Sequence, residues 1–142
     1  MNLPLALRAL AVLALIILAE TVNGTVRTFA IAPLVGDFTA RQIGTFTGCA
    51  LIALIAWAAR PWLNARSPRA QWAVGALWVA VMLAFELALG RLVAGASWAR
   101  LVSDYNLAQG GLLGLGMAWL LCAPRLAEIL HENWLKRRSR KR

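Results

Sequence analysis

The chain is 142 residues long, 61% hydrophobic and only 15% charged, too apolar for an ordinary soluble domain, where apolar usage is nearer half. Its net charge of +9 is concentrated, because residues 136–142, Lys-Arg-Arg-Ser-Arg-Lys-Arg, hold six cations and no acid and leave +3 for the remainder. The basicity belongs to a tail, which argues against a nucleic-acid-binding surface spread over a fold.

Four apolar runs, about 3–23, 42–60, 72–95 and 106–123, are long enough for helices that cross a bilayer in about 20 residues. The expected fold is all-α: a four-helix transmembrane domain over 1–123, followed by a short amphipathic, polybasic tail over 124–142. The connections are too short for a separate soluble domain.

In the first span Arg8 precedes an apolar run from Ala9 to Ala19, and Glu20, Thr21, Val22 and Asn23 follow with no clean small-x-small cleavage site. A retained first helix is the better reading, with Arg8 snorkelling toward the headgroups. Glu20, Gly24 and Arg27 fall at i, i+4 and i+7 and share one helical face. Residues 24–41 then read as an outer loop, apolar over Phe29–Leu34, as an interfacial helix or a segment tucked against the bundle would be.

The second span opens with Arg41 and carries Gly44 and Gly48 on one side. The connection 61–71 places Pro61, Asn64, Ser67 and Pro68 among three arginines, the composition of a turn. In the third span Glu86 and Gly90 repeat the spacing of Glu20 and Gly24, with Arg91 at its end. After a second outer loop, 96–105, whose Trp98 suits an interface, the fourth span begins at Asp104, Tyr105 and Asn106 and carries Gly110 and Gly114. Small-xxx-small faces let helices approach closely in lipid, so Gly44, Gly48, Gly110 and Gly114 read as packing positions. Glycine that opens space for a solute is the other reading.

A shift of 66 residues overlays Glu20 on Glu86, Gly24 on Gly90, Gly44 on Gly110 and Gly48 on Gly114. Either the chain is a duplicated helix pair, with a two-fold axis along the membrane normal, or apolar helices overlay by chance. Cys49 and Cys122 fall at depths about 14 Å apart by helical rise, which excludes a disulfide between them. With His131 as the one histidine, no metal site is expected, and no cofactor either.

From Pro124 the pattern changes. Leu126, Ile129, Leu130 and Trp134 lie at helical spacing, the signature of an amphipathic helix on the bilayer surface. It ends in Lys136 to Arg142, which attract anionic lipid. Nucleic acid is not expected as a partner, since no aromatic residue follows Trp134 among those cations.

A carboxylate at bilayer depth is expensive and usually marks a polar pathway. Glu20, Glu86, Arg27, Arg41, Arg91 and Asp104 all belong to the half of the bundle away from the termini. Two readings follow: carboxylates lining a solute or ion cavity, or ion pairs that lock helices together. Catalytic motifs are absent, so an enzyme is not expected. The leading expectation is a small channel- or transporter-like protein that binds or passes a small ion or polar solute. The alternative is a non-catalytic accessory or assembly subunit of a larger membrane complex. A homodimer through the Gly110/Gly114 face is the expected assembly.

Lys and Arg gather on the side of Arg8, Arg60, Arg66, Arg69 and the tail, which predicts an inner-membrane protein with both termini cytoplasmic. In a background without Cys49 and Cys122, Ser67→Cys should be protected from an impermeant thiol reagent in intact cells, and Ser97→Cys should label. The reverse pattern inverts the topology.

Overall fold

The computed structural model describes residues 1–93, 95, 97–103, 105–106 and 111–139, and these are helical with no strand among them. Four helices, Leu3–Val35, Asp37–Leu63, Pro68–Leu92 and Leu113–Ser139, are long and apolar enough to cross a membrane.

The first, α1, begins at Leu3, where Asn2 Oδ1 accepts the Leu5 N–H at 3.1 Å and Pro4 sits where its missing N–H costs nothing. The chain does not loop after residue 23. From Val26, the last residue of α1 proper, it passes through a π-helical turn, Arg27–Ile31, into α2, Ala32–Val35, making one rod of 33 residues. The expected outer loop over 24–41 is therefore helical except at Gly36. The polar run that suggested a loop is neutralised within the helix. Thr21 donates to Ile17 O at 2.8 Å, Thr25 to Thr21 O at 2.8 Å and Thr28 to Gly24 O at 2.9 Å, so these hydroxyls leave the ladder intact.

Gly36 makes the reversal with φ 83° and ψ 155°, backbone that glycine alone adopts without strain. Next, α3 runs from Asp37 to Leu63 and ends on Asn64 in the left-handed conformation, φ 54°. After a short turn, Ser67 Oγ accepts the Ala70 N–H at 3.2 Å and Pro68 opens α4, Pro68–Ala88. A second π-helical turn, Leu89–Val93, follows α4, and a short α5 spans Trp98–Ser103. The last helix, α6, is Leu113–Ser139.

Two features of α6 differ from the sequence expectation. It starts at Leu113, not near 106, and it does not break at Pro124, which is buried inside it. Proline removes one ladder bond, but tertiary packing holds the chain helical on either side. Ala127 is buried, Arg125 Nη1 donates to Gln71 Oε1 at 2.9 Å, and Arg60 Nε lies 3.9 Å from Glu128 Oε2. The bundle therefore includes residues previously expected in the tail.

Helix α3 packs on α1 and α6, and α6 packs on α4, with a smaller α1–α4 contact closing the ring. The core is Val12, Leu13 and Ile16 of α1, Ile52 and Ala56 of α3, Val74, Trp78 and Met82 of α4, and Met117, Leu120 and Ala123 of α6. Lipid gives no hydrophobic drive between helices, so close approach and interhelical hydrogen bonds matter more. Both occur at the end that holds the termini. The fully buried Trp78 donates Nε1–H to Ala9 O at 2.8 Å, and Gly75 lets α4 rest against the Leu121 carbonyl of α6. Gln71, also buried, donates to Ala65 O at 2.9 Å and fixes the α3–α4 turn.

A Cβ at Gly75 would collide with rigid backbone, whereas one at Gly116 would meet nothing within 4 Å. Gly75→Ala should therefore lower stability by about 1–3 kcal/mol, read as thermal unfolding in detergent. Gly116→Ala should leave it unchanged. Equal behaviour of the two variants would disprove this crossing.

Candidate functional site

Because α1 turns 100° per residue, Glu20, Asn23 and Arg27 face the same neighbour, α3. Glycine on α3 receives them. A Cβ at Gly48 would lie 2.7 Å from Glu20 Oε2 and 2.9 Å from Oε1, so the carboxylate lies directly on that glycine. A Cβ at Gly44 would lie 2.8 Å from Arg27 Cδ, so the arginine stem crosses the other. Asn23 joins the two helices, donating through Nδ2 to Gly44 O at 2.9 Å and to Glu20 Oε2 at 3.2 Å. Gly44 and Gly48 thus act as seats for an acid and a base about 6 Å apart along α3.

Asn23 engages one carboxylate oxygen. The other, Glu20 Oε1, is buried and has no hydrogen-bond partner. Glu20 is among the residues that line a cavity of about 610 Å³ between α1, α3, α4 and the start of α6. Ile17, Ile52, Met82 and Phe85 form its apolar part, while Glu20, Glu86, Arg27 and Arg41 bring charge. At the rim, Thr21, Thr25, Thr28 and Phe29 are exposed, so the cavity is not sealed. Gly24 also lines it, and a Cβ there would meet nothing within 4 Å.

The start of α6 borders the cavity. Gly75 of α4 meets Leu121 of α6, so Leu113, eight residues back along this antiparallel helix, stands about level with Leu83. Gly111 and Leu112, which precede the helix, line the cavity. Non-helical backbone at such depth is tolerated where it is buried in protein or borders a polar cavity. Gly111 N–H is satisfied by Asn106 O at 2.9 Å, and Trp119 Nε1–H donates to Cys49 O at 2.8 Å, tying α6 to α3 beside the cavity.

The sequence-selected residues divide clearly. Glu20, Glu86, Arg27, Arg41, Gly44 and Gly48 come together at this one cavity. Arg41 Nε also bonds Asp37 Oδ2 at 2.8 Å, an exposed i,i+4 pair. Arg91 lies away from the cavity, exposed, with its guanidinium 5.0 Å from the centre of the Trp98 ring. A Cβ at Gly114 would make only ordinary contact, 3.8 Å from Tyr105 Cδ1. Asp104 and Gly110 lie outside the described residues. Cys49 and Cys122 are both free thiols, and among the described residues no three His, Cys, Asp or Glu side chains gather as a metal site would need.

Sequence reading passed over Asn23, Gly75, Trp78 and Gln71. Asn23 had a usable signal, because it lies three residues after Glu20 on the same face. The other three depend on which helices become neighbours, and periodicity alone does not specify that.

The atoms that a Cβ at Gly44 or Gly48 would strike belong to flexible side chains, whereas at Gly75 they belong to backbone. Gly44→Ala and Gly48→Ala should therefore stay within about 1 kcal/mol of wild type while moving Arg27 and Glu20. Thermal unfolding beside Gly75→Ala checks this. A loss as large as at Gly75 would mean that α1 and α3 meet backbone to backbone.

Comparison with protein-family models, with characterised proteins and with solved structures finds no match, so the site is interpreted from its own geometry.

Proposed function

We propose that the protein is a small channel- or transporter-like protein of a bacterial-type inner membrane, and that the Glu20 cavity binds or passes a small ion or polar solute. The observation that carries this reading is the buried Glu20 Oε1 with no donor. Leaving such an oxygen unsatisfied costs about 1–3 kcal/mol, more when the group is charged. A carboxylate whose purpose was to lock two helices together would spend both oxygens on protein donors. Glu20 leaves one unpaired and stands among the residues that line a cavity with an unsealed rim.

The surrounding features support the same reading. Glu20 of α1 and Glu86 of α4 are each followed four residues later by glycine and stand before a π-helical turn, and both glutamates line one cavity. The helix pairs α1/α3 and α4/α6 act as two halves of a duplicated unit about an axis along the membrane normal. The N-terminal segment shares a cleft with Asn64, Arg66 and Ser67 of the α3–α4 turn. Residues 125–128 of α6 bond to that end too, so the cations collect there. This end faces the cytoplasm by the positive-inside rule, with Lys136 to Arg142 held at anionic lipid. A homodimer through the Gly110 and Gly114 positions belongs to the same proposal.

The test is solute flux in proteoliposomes. Wild type should move a small cation or polar solute faster than empty liposomes, and Glu20→Gln should lose most of that flux while unfolding at the wild-type temperature. Wild-type flux no greater than that of empty liposomes would defeat the proposal and favour an accessory subunit of a larger complex.

A further inference from the structure

Solute binding at Glu20 leaves the chemistry of the solute open, and the arrangement of charge around the cavity narrows it. Glu20 and Arg27 lie on the same wall, one helical turn apart on their glycine seats, and Arg27 makes no hydrogen bond to Glu20 Oε1. A bare cation drawn to Glu20 would also meet the positive field of Arg27 and Arg41. A bare anion drawn to Arg27 would meet Glu20 and Glu86. Glu20 and Arg27 line this cavity with opposite charges, so a solute that carries one charge of each sign is the one favoured at both poles.

The start of α6 reinforces the positive pole. Gly111, Leu112 and Leu113 lead into a helix of 27 residues and border the same cavity. The first amides of a helix lack intrahelical acceptors and carry a partial positive charge, which suits a carboxylate. The negative pole is equally specific. Glu20 lines the cavity, and Asn23 gives its carboxylate a single donor, which leaves acceptor capacity for an ammonium N–H. Between the poles, Ile17, Ile52, Met82 and Phe85 supply an apolar wall. The volume, about 610 Å³, lies in the usual range for small-molecule sites.

We infer that the cavity takes a small zwitterion of amino-acid size, with its ammonium on Glu20, its carboxylate at Arg27 and the start of α6, and its apolar side chain on the Met82 and Phe85 wall. This inference rests on the solute-binding reading above and specifies its substrate class.

Binding to the full chain in nanodiscs distinguishes the two levels. The probes are alanine, leucine, 3-methylbutylamine (leucine without its carboxylate), 4-methylpentanoate (leucine without its amine) and sodium or potassium chloride. Alanine or leucine should bind, and the amine and the acid should each bind at least about tenfold more weakly than leucine, the loss expected for one charged hydrogen bond. Glu20→Gln and Arg27→Gln should each weaken leucine at least about tenfold, and Arg27→Gln should not weaken the amine. An amine, acid or metal cation that binds as tightly as leucine would overturn the zwitterion and leave a solute site standing. If no probe binds, both readings fall. The probe series is measured on wild type, so the inference stays falsifiable even if a variant fails to fold.

Discussion

The polar stripe of α1 can lie against α3 only because Gly44 and Gly48 carry no side chains. In a bilayer the alternatives for Glu20 and Arg27 are poor: both would have to snorkel, or both would need partners among apolar neighbours. The two seats solve this locally. They admit the carboxylate and the arginine stem into the α1–α3 contact, and Asn23 then bonds across to the Gly44 carbonyl. A larger residue at position 48 would push the carboxylate off its seat on α3. The site therefore depends on an absence of side-chain volume on one helix as much as on the charged residues of the other.

The two ends of the bundle are built to different purposes. At the end with the termini, Trp78 bonds the backbone of α1, Gly75 brings α4 against α6, and Gln71 and Arg125 tie the turn to the last helix. Several polar groups there bond one another, although Arg60 Nε, 3.9 Å from Glu128 Oε2, makes no hydrogen bond. At the other end α6 begins short of the top of α4, and glycine and non-helical backbone replace a helical wall. Rigidity at one end and unfilled space at the other follow from the same few glycines, placed where a neighbour is backbone in one case and a side-chain tip in the other.

Most of the fold was legible in the sequence, since four apolar runs interrupted by turn residues leave few arrangements once each must span a bilayer. The differences fell at the ends of the spans, where α1 continues past residue 23 and α6 past Pro124. Thr21, Thr25 and Thr28 look like a loop in one dimension, yet each hydroxyl returns to its own helix. Pro124 looks like a terminus, yet the neighbours that bury it keep the helix going. In the site, Glu20 and Glu86 were visible as charges in apolar runs. The glycines were visible as a stripe, but not as seats for charged side chains. That distinction requires knowing what faces a glycine, and a sequence states only that nothing projects from it.

The π-helical turns bear on how the cavity keeps its polarity apart from the bilayer. Each adds backbone to a turn and so rotates the residues beyond it relative to those before it. On the first helix the turn begins at Arg27. Before it, Glu20, Asn23 and Arg27 address α3 in regular register. Beyond it, Phe29, Leu34 and Val35 are exposed apolar residues, the surface a helix needs where it meets lipid. Without the added backbone, a strict 3.6-residue register would carry the inward face on toward Leu34, seven residues after Arg27. The chain still packs on α3 through and beyond the turn, so the turn changes which residues face α3 while keeping the contact. The second π-helical turn stands just after Glu86 on α4, before Trp98 and Arg91 stack at the surface. Both long helices that bring a carboxylate to the cavity change register immediately beyond it, which confines the charged face to the depth at which the cavity lies.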